Sequence, residues 1–190
     1  MMSRRLAILG RAVLGGPLRP VVRLRLLNEL ALVTAEGFGT ERPEWAGESF
    51  APRLTEYAEF TAREAERLLA AGDDVATAAV RDRLRAGSTK LGDSLRRTLG
   101  LRDVDEAFAA LKLLYRQIEI ELGGGPVGEV TVGRCFFSAY YSEPACRVIE
   151  ALDQGLVTGL FNGASFEFSE RLTAGAPRCR ACIRAGEAQA

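Results

Sequence analysis

"GGGPVGEVTVGRCFF" (residues 123–137) is where the chain changes character. Upstream, apolar residues recur at helical spacing; downstream, short alternating runs lie between glycines and prolines. "GEVTVGRCFF" (128–137) reads as a strand and "EPACRVIEALDQGLVTGL" (143–160) as a helix opened by Pro144. "ASFEFSERLTA" (164–174) reads as a second strand, and "RCRACIRA" (178–185), after the turn "GAPR", as a third. Four helices are expected before this point. They run from Leu54 to Gly72, from Asp73 to Gly87, from Ser88 to Gly100, and from Asp103 to Gly123. The last opens with Asp103 three residues before Glu106, a capping-box spacing, and carries Val104, Ala107, Phe108, Leu111, Leu114, Tyr115, Ile118 and Leu122 on its apolar face. The expected class is α+β: a helical N-terminal half, then a small antiparallel sheet with one packed helix. Residues 1–52 read as a basic helical arm and loop, and 53–190 as a single domain, with helices over 54–122 and the sheet and its helix over 127–185.

The 190 residues are 47% hydrophobic and 26% charged, a globular balance with enough chain for a real core. The formal net charge is zero, but residues 1–28 hold six arginines and no acid, so the rest of the chain is net acidic. This excludes a general nucleic-acid surface and leaves one local basic segment. Residues 4–34 are expected to form a helical arm, interrupted at "GGPLRP", that packs on its own domain or on a second copy of the chain. A basic face lying on anionic lipid, or a protein partner contacted through residues 1–34, is the alternative. No apolar run approaches a membrane span, and four cysteines without a secretory signal point to a reducing compartment, so a cytoplasmic location is expected.

The chain contains no histidine. Imidazole-based catalysis and histidine-ligated zinc are therefore excluded within it, and proton transfer falls to Asp, Glu, Cys, Lys or Tyr. The chemistry-bearing residues cluster after residue 133. Cys146 falls in the first turn of the helix, where the dipole favours a thiolate, and Glu150 and Asp153 follow on the same face. In the next strand, period two places Phe166, Phe168, Glu170 and Leu172 on one face and Glu167, Ser169 and Arg171 on the other. In the last strand Cys179, Ala181 and Ile183 face inward, while Arg178, Arg180, Cys182 and Arg184 face out. Two cysteines three apart in a strand point to opposite faces, whereas a metal-binding pair needs a turn that brings both sulfurs together. A zinc or iron–sulfur site on Cys135, Cys146, Cys179 and Cys182 is the alternative reading, and ordinary buried thiols a third. No other cofactor is implied.

The strand entering Cys135, Cys146 at a helix start, Asp153 before a glycine-bearing helix end, "ERLTAG" (170–175) and Cys179 after a short turn together resemble the L-2-amino-thiazoline-4-carboxylic acid hydrolase-like proteins. More distantly they resemble the 4-vinyl-reductase-type small-molecule-binding domains. The likeness covers roughly residues 55–184. It implies an α+β ligand pocket and hydrolytic opening of a small thiazoline-like ring, with cysteines as the reactive residues. Some of the more distant relatives hold zinc through Cys and Glu; here Thr173 stands where that pattern has cysteine, and Cys182 is an additional thiol. On this reading Cys146, or Cys135 across the pocket, is the nucleophile, with Cys179 beside them, and Asp153 or Glu170 moves protons. Arg171 or Arg134 meets an anionic group of the substrate. A small-ligand sensor without catalysis is the further alternative.

Overall fold

A computed structural model describes residues 19–186. Five α-helices and four strands follow in the order α1 (Arg19–Phe38), α2 (Phe50–Ala70), α3 (Asp74–Leu99), α4 (Val104–Gln117), β1 (Ile120–Gly124), β2 (Gly128–Cys135), α5 (Glu143–Leu160), β3 (Ser165–Glu170) and β4 (Cys179–Arg184). Short 3-10 turns at Phe136–Ala139 and Leu172–Ala174 link β2 to α5 and β3 to β4. The fold is α+β, with the helices first, as the patterning predicts. No helix among the described residues is long and apolar enough to cross a membrane.

Local chemistry sets most of the helix boundaries. The Asp73 carboxylate accepts the Ala76 N–H at 2.9 Å and starts α3, and Gly100 ends it in the left-handed region. At α4, Asp103 accepts the Glu106 N–H at 2.9 Å, while the Glu106 side chain reaches back to the Arg102 N–H at 3.0 Å. The reciprocal logic of the capping box is kept, displaced by one residue. For α5, Ser142 Oγ accepts the Ala145 N–H at 3.2 Å and Pro144 falls in the first turn, giving the helix the bounds its sequence announces.

Two expected boundaries are corrected. Gly87 does not end a helix; α3 runs through it without a break. A Cβ there would lie 2.9 Å from Val33 Cγ1 of α1, so the glycine serves close helix packing and not a cap. The helix expected to reach Gly123 stops at Gln117, and Ile120–Gly124 forms β1. Ile118 and Leu122 satisfy helical spacing, but Ile120 and Leu122 also alternate with the exposed Glu121, and the second period wins because β1 pairs with β2.

The sheet is antiparallel, in the order β1-β2-β4-β3. Val130 pairs with Ala181 and Val132 with Cys179, so one face presents Val130, Val132, Phe166, Ala181 and Ile183, all buried. These share a core with Leu156, Leu160 and Phe161 at the end of α5. On its other side α5 crosses α3 at backbone contact: Cβ atoms at Gly155 and Gly159 would lie 2.1 Å from the Arg85 carbonyl oxygen and 2.3 Å from that of Thr89. The helix is thereby clamped between the sheet and α3.

The first described helix is part of this core. Leu27, Ala31 and Ala35 are buried, and Arg23 donates to the Gln117 carbonyl at 2.9 Å with its guanidinium 3.6 Å from the centre of the Phe50 ring. Of the other arginines of the basic segment, Arg19 and Arg25 also belong to α1, while Arg4, Arg5 and Arg11 lie outside the described residues, as does that part of the membrane and partner expectations for residues 1–34 that rests on them.

Candidate functional site

A cavity of about 110 Å³ opens where α5 meets the sheet and the N-terminal helices. Its walls are mostly aliphatic, from Leu26 and Leu30 of α1 to Leu114 of α4 and Ile149 and Leu156 of α5. Cys135, Cys146, Cys179, Asp153, Glu150 and Arg171 all line it as well. Three thiols from separate segments thus converge on one hollow, together with a carboxylate and a buried ion pair.

Each position follows from its element. Cys146, Glu150 and Asp153 share one face of α5 at helical spacing, as expected. Cys179 occupies an inward position of β4 and accepts the Leu172 N–H at 3.3 Å. Cys135 ends β2, and the following turn aims the Phe137 and Ser138 N–H groups at its sulfur. Thr173, whose buried hydroxyl has no hydrogen-bond partner of ordinary length, lies beside the Cys146 thiol.

These contacts do not make thiolates. Burial pushes Cys135 up to about 12 and Cys146 up to about 11, and raises Cys179, outweighing the N–H and hydroxyl donors. The expected activation of Cys146 by the helix terminus is therefore corrected. The N–H groups that would stabilise its thiolate are already spent: Cys146 N–H donates to the Ser142 carbonyl at 2.9 Å and Ala145 N–H to Ser142 Oγ. At neutral pH a thiol with that ionisation is only about one part in ten thousand thiolate.

Among the shifted groups on the wall, Asp153 is the one whose ionisation falls near neutrality. Its carboxylate accepts the Tyr115 hydroxyl at 2.6 Å, yet burial lifts it from 3.8 to about 6, the hydrogen bond offsetting only part of that cost. A carboxyl poised near neutrality within a cavity suits proton transfer. Tyr115 was counted only as an apolar position of its helix; no local pattern connects α4 to α5 across the chain, so its hydroxyl could not be matched to Asp153 from sequence.

The second polar feature is Glu150 with Arg171. Arg171 Nε and Nη2 both donate to Glu150 Oε2, at 2.9 and 2.5 Å, and each side chain is only 8% exposed. Arg81 Nη2 stands 3.5 Å from the other Glu150 oxygen. This reverses the expected strand parity. An irregularity in pairing between Phe168 and Glu170 turns the chain, so Arg171 enters the cavity and Glu170 faces outward, ion-paired to Arg180 at 3.2 Å. Glu170 is thus removed from the site as a proton carrier. Arg134 is also removed: it is largely exposed and pairs with Glu119 at 3.7 Å.

The four-cysteine metal reading fails on geometry. Cys182 lies on the outer face of β4, between Glu129 of β2 and Glu167 of β3, as the strand period predicted. Among the described residues no group of three or more Cys, Asp or Glu side chains is arranged to hold a metal ion. Comparison of the chain with protein-family models, curated proteins and solved structures finds no match.

Proposed function

We propose that this protein binds a small molecule in the cavity beneath α5. The observation that carries the reading is the union of an aliphatic hollow with one wall of convergent polar groups, Asp153–Tyr115 and Glu150–Arg171, which matches the general make-up of ligand sites. The resemblance of roughly residues 55–184 to small-molecule-binding domains is in keeping with it. An apolar hollow of about 150 Å³ accommodates benzene, so about 110 Å³ suits a ring of roughly five heavy atoms. The test is a titration of the full chain with cyclopentanol, followed by methyl NMR. Saturable shifts centred on Leu91, Ile149 and Leu156 support the reading; shifts elsewhere only, or none, reject it.

One observation favours a second reading, cysteine-dependent ring opening. Cys146 and Asp153 share the cavity with Cys135 and Cys179, so the Cys146 sulfur can add to the electrophilic ring carbon with its proton passing through water to Asp153; the ring carbon–sulfur bond then breaks, and the leaving ring sulfur takes that proton back. Water would then release the sulfur and restore the thiol. Turnover of a 2-aminothiazoline substrate that falls at least about a hundredfold in Cys146→Ser would support it. Undiminished turnover in that variant would reject Cys146 as the nucleophile.

A further inference from the structure

We propose that the ligand carries a protonated amine or amidine, and that the Asp153 carboxylate is its counter-ion at the polar end of the cavity. This rests on the binding reading above and adds the charge of the occupant.

The argument is a charge count along the wall. The Glu150 charge is matched by Arg171 at 2.9 and 2.5 Å, with Arg81 3.5 Å from the second oxygen, so that carboxylate has its cations. Asp153 is different. Its hydrogen bond comes from a neutral phenol, Tyr115, and among the described residues no cation lies within ion-pair distance of it. The groups that face it from the surrounding elements are Tyr57 of α2, Tyr115 of α4, Cys135 of β2, Cys179 of β4, and Cys146 and Glu150 of α5. Every one is neutral or acidic. An ionised Asp153 is therefore a half-buried charge with no cation beside it, a situation that pairing relieves. A cationic ligand supplies that partner, whereas an anionic one would add a like charge beside Asp153.

Acid should weaken such a ligand. Asp153 takes up a proton near 6, and its charge, the whole of the attraction, is lost below that.

The experiment titrates the full chain, near pH 7.5, with cyclopentylamine, cyclopentanol and cyclopentanecarboxylate, three probes of similar shape and different charge. The amine is expected to bind at least about tenfold tighter than the alcohol, and the carboxylate weakest. Asp153→Asn should bring the amine down to the alcohol, and acidification to about pH 5 should do the same to the unaltered protein. Tyr115→Phe removes the hydrogen bond that favours the carboxylate and should move the loss of the amine preference to higher pH. If the alcohol binds and the amine gains nothing, or if Asp153→Asn leaves the preference intact, the counter-ion proposal is overturned while ligand binding stands. A carboxylate that binds tightest overturns it too and returns the anchor to Arg171. If no probe perturbs the cavity methyls, the binding reading falls and this proposal with it.

Discussion

Asp153→Asn should make the protein more stable above about pH 6, by an amount that vanishes in acid. The native carboxyl titrates near 6 against an ordinary 3.8, so between those values the folded state binds more protons than the unfolded one. Folding stability therefore falls as pH rises through that window and stays depressed above it. At about 1.4 kcal/mol for each tenfold change in proton affinity, the cost of holding the ionised group is about 3 kcal/mol. Asparagine keeps an oxygen for the Tyr115 hydroxyl and carries no charge to bury, so near pH 8 the variant should regain most of that amount. In a domain of this size it corresponds to a rise in melting temperature of roughly 6–12 °C. Urea unfolding of both proteins from about pH 4 to pH 8 isolates this group, because the other carboxylates cancel in the difference. The two stability curves should converge near pH 4 and separate progressively up to pH 6 and beyond. Parallel curves, or a variant less stable at pH 8, would refute an isolated buried charge at this position.

Three further outcomes are expected. Glu150→Gln strands the Arg171 guanidinium and should cost about 3–5 kcal/mol in chemical denaturation, with Glu150→Leu combined with Arg171→Met recovering most of it; a loss under about 1 kcal/mol would mean the pair is solvated. Gly159→Ala should destabilise by about 1–3 kcal/mol, opposite in sign to the usual gain of about 1 kcal/mol for that change within a helix, because its Cβ would lie 2.3 Å from the Thr89 carbonyl oxygen. A stabilised variant would show that α3 and α5 can move apart. With iodoacetamide on the folded protein, Cys182 on the outer sheet face should alkylate well before Cys135 and Cys146, and all four should react alike in denaturant; fastest labelling of Cys146 would restore an activated nucleophile.

Features governed by short-range chemistry were legible in the sequence. Ser142 and Pro144 fix the start of α5, its helical period places Cys146, Glu150 and Asp153 on one wall, and the two-residue period of β4 sends Cys179 inward and Cys182 outward. Features decided by contact between distant segments were not. Gly87 has the composition of a stop, but Val33 of another helix gives it a packing role. The stretch from Ile118 to Leu122 fits both periods, and only pairing with β2 selects the strand. The irregularity after Phe168 has no local signature, and it alone exchanges the places of Glu170 and Arg171. The ionisation of Cys146 was misread for a related reason. The dipole of its own helix is a local effect, whereas desolvation depends on what α1, α4 and the sheet bring around it, and desolvation is the larger.

That hierarchy also bears on why the polar wall exists. A hydrophobic replacement of Glu150 and Arg171 would keep the volume without the desolvation cost, and a leucine at Asp153 would extend the aliphatic lining already supplied by Leu156. Instead the costs concentrate on one face of one helix, the face turned to the cavity, while the opposite side of α5 carries glycines packed against α3. A core built for stability alone has no reason for this asymmetry. Ligand recognition supplies one, because a desolvated carboxylate without a cation is unfavourable in the empty protein and becomes favourable when a cation arrives, so the cost borne by the free state is returned as selectivity. The stability gained by Asp153→Asn and the amine affinity it loses should therefore have a common origin: both measure the charge of a single carboxylate, and both should fall as pH drops below about 6, the amine preference being gone near pH 5 and the stability difference near pH 4.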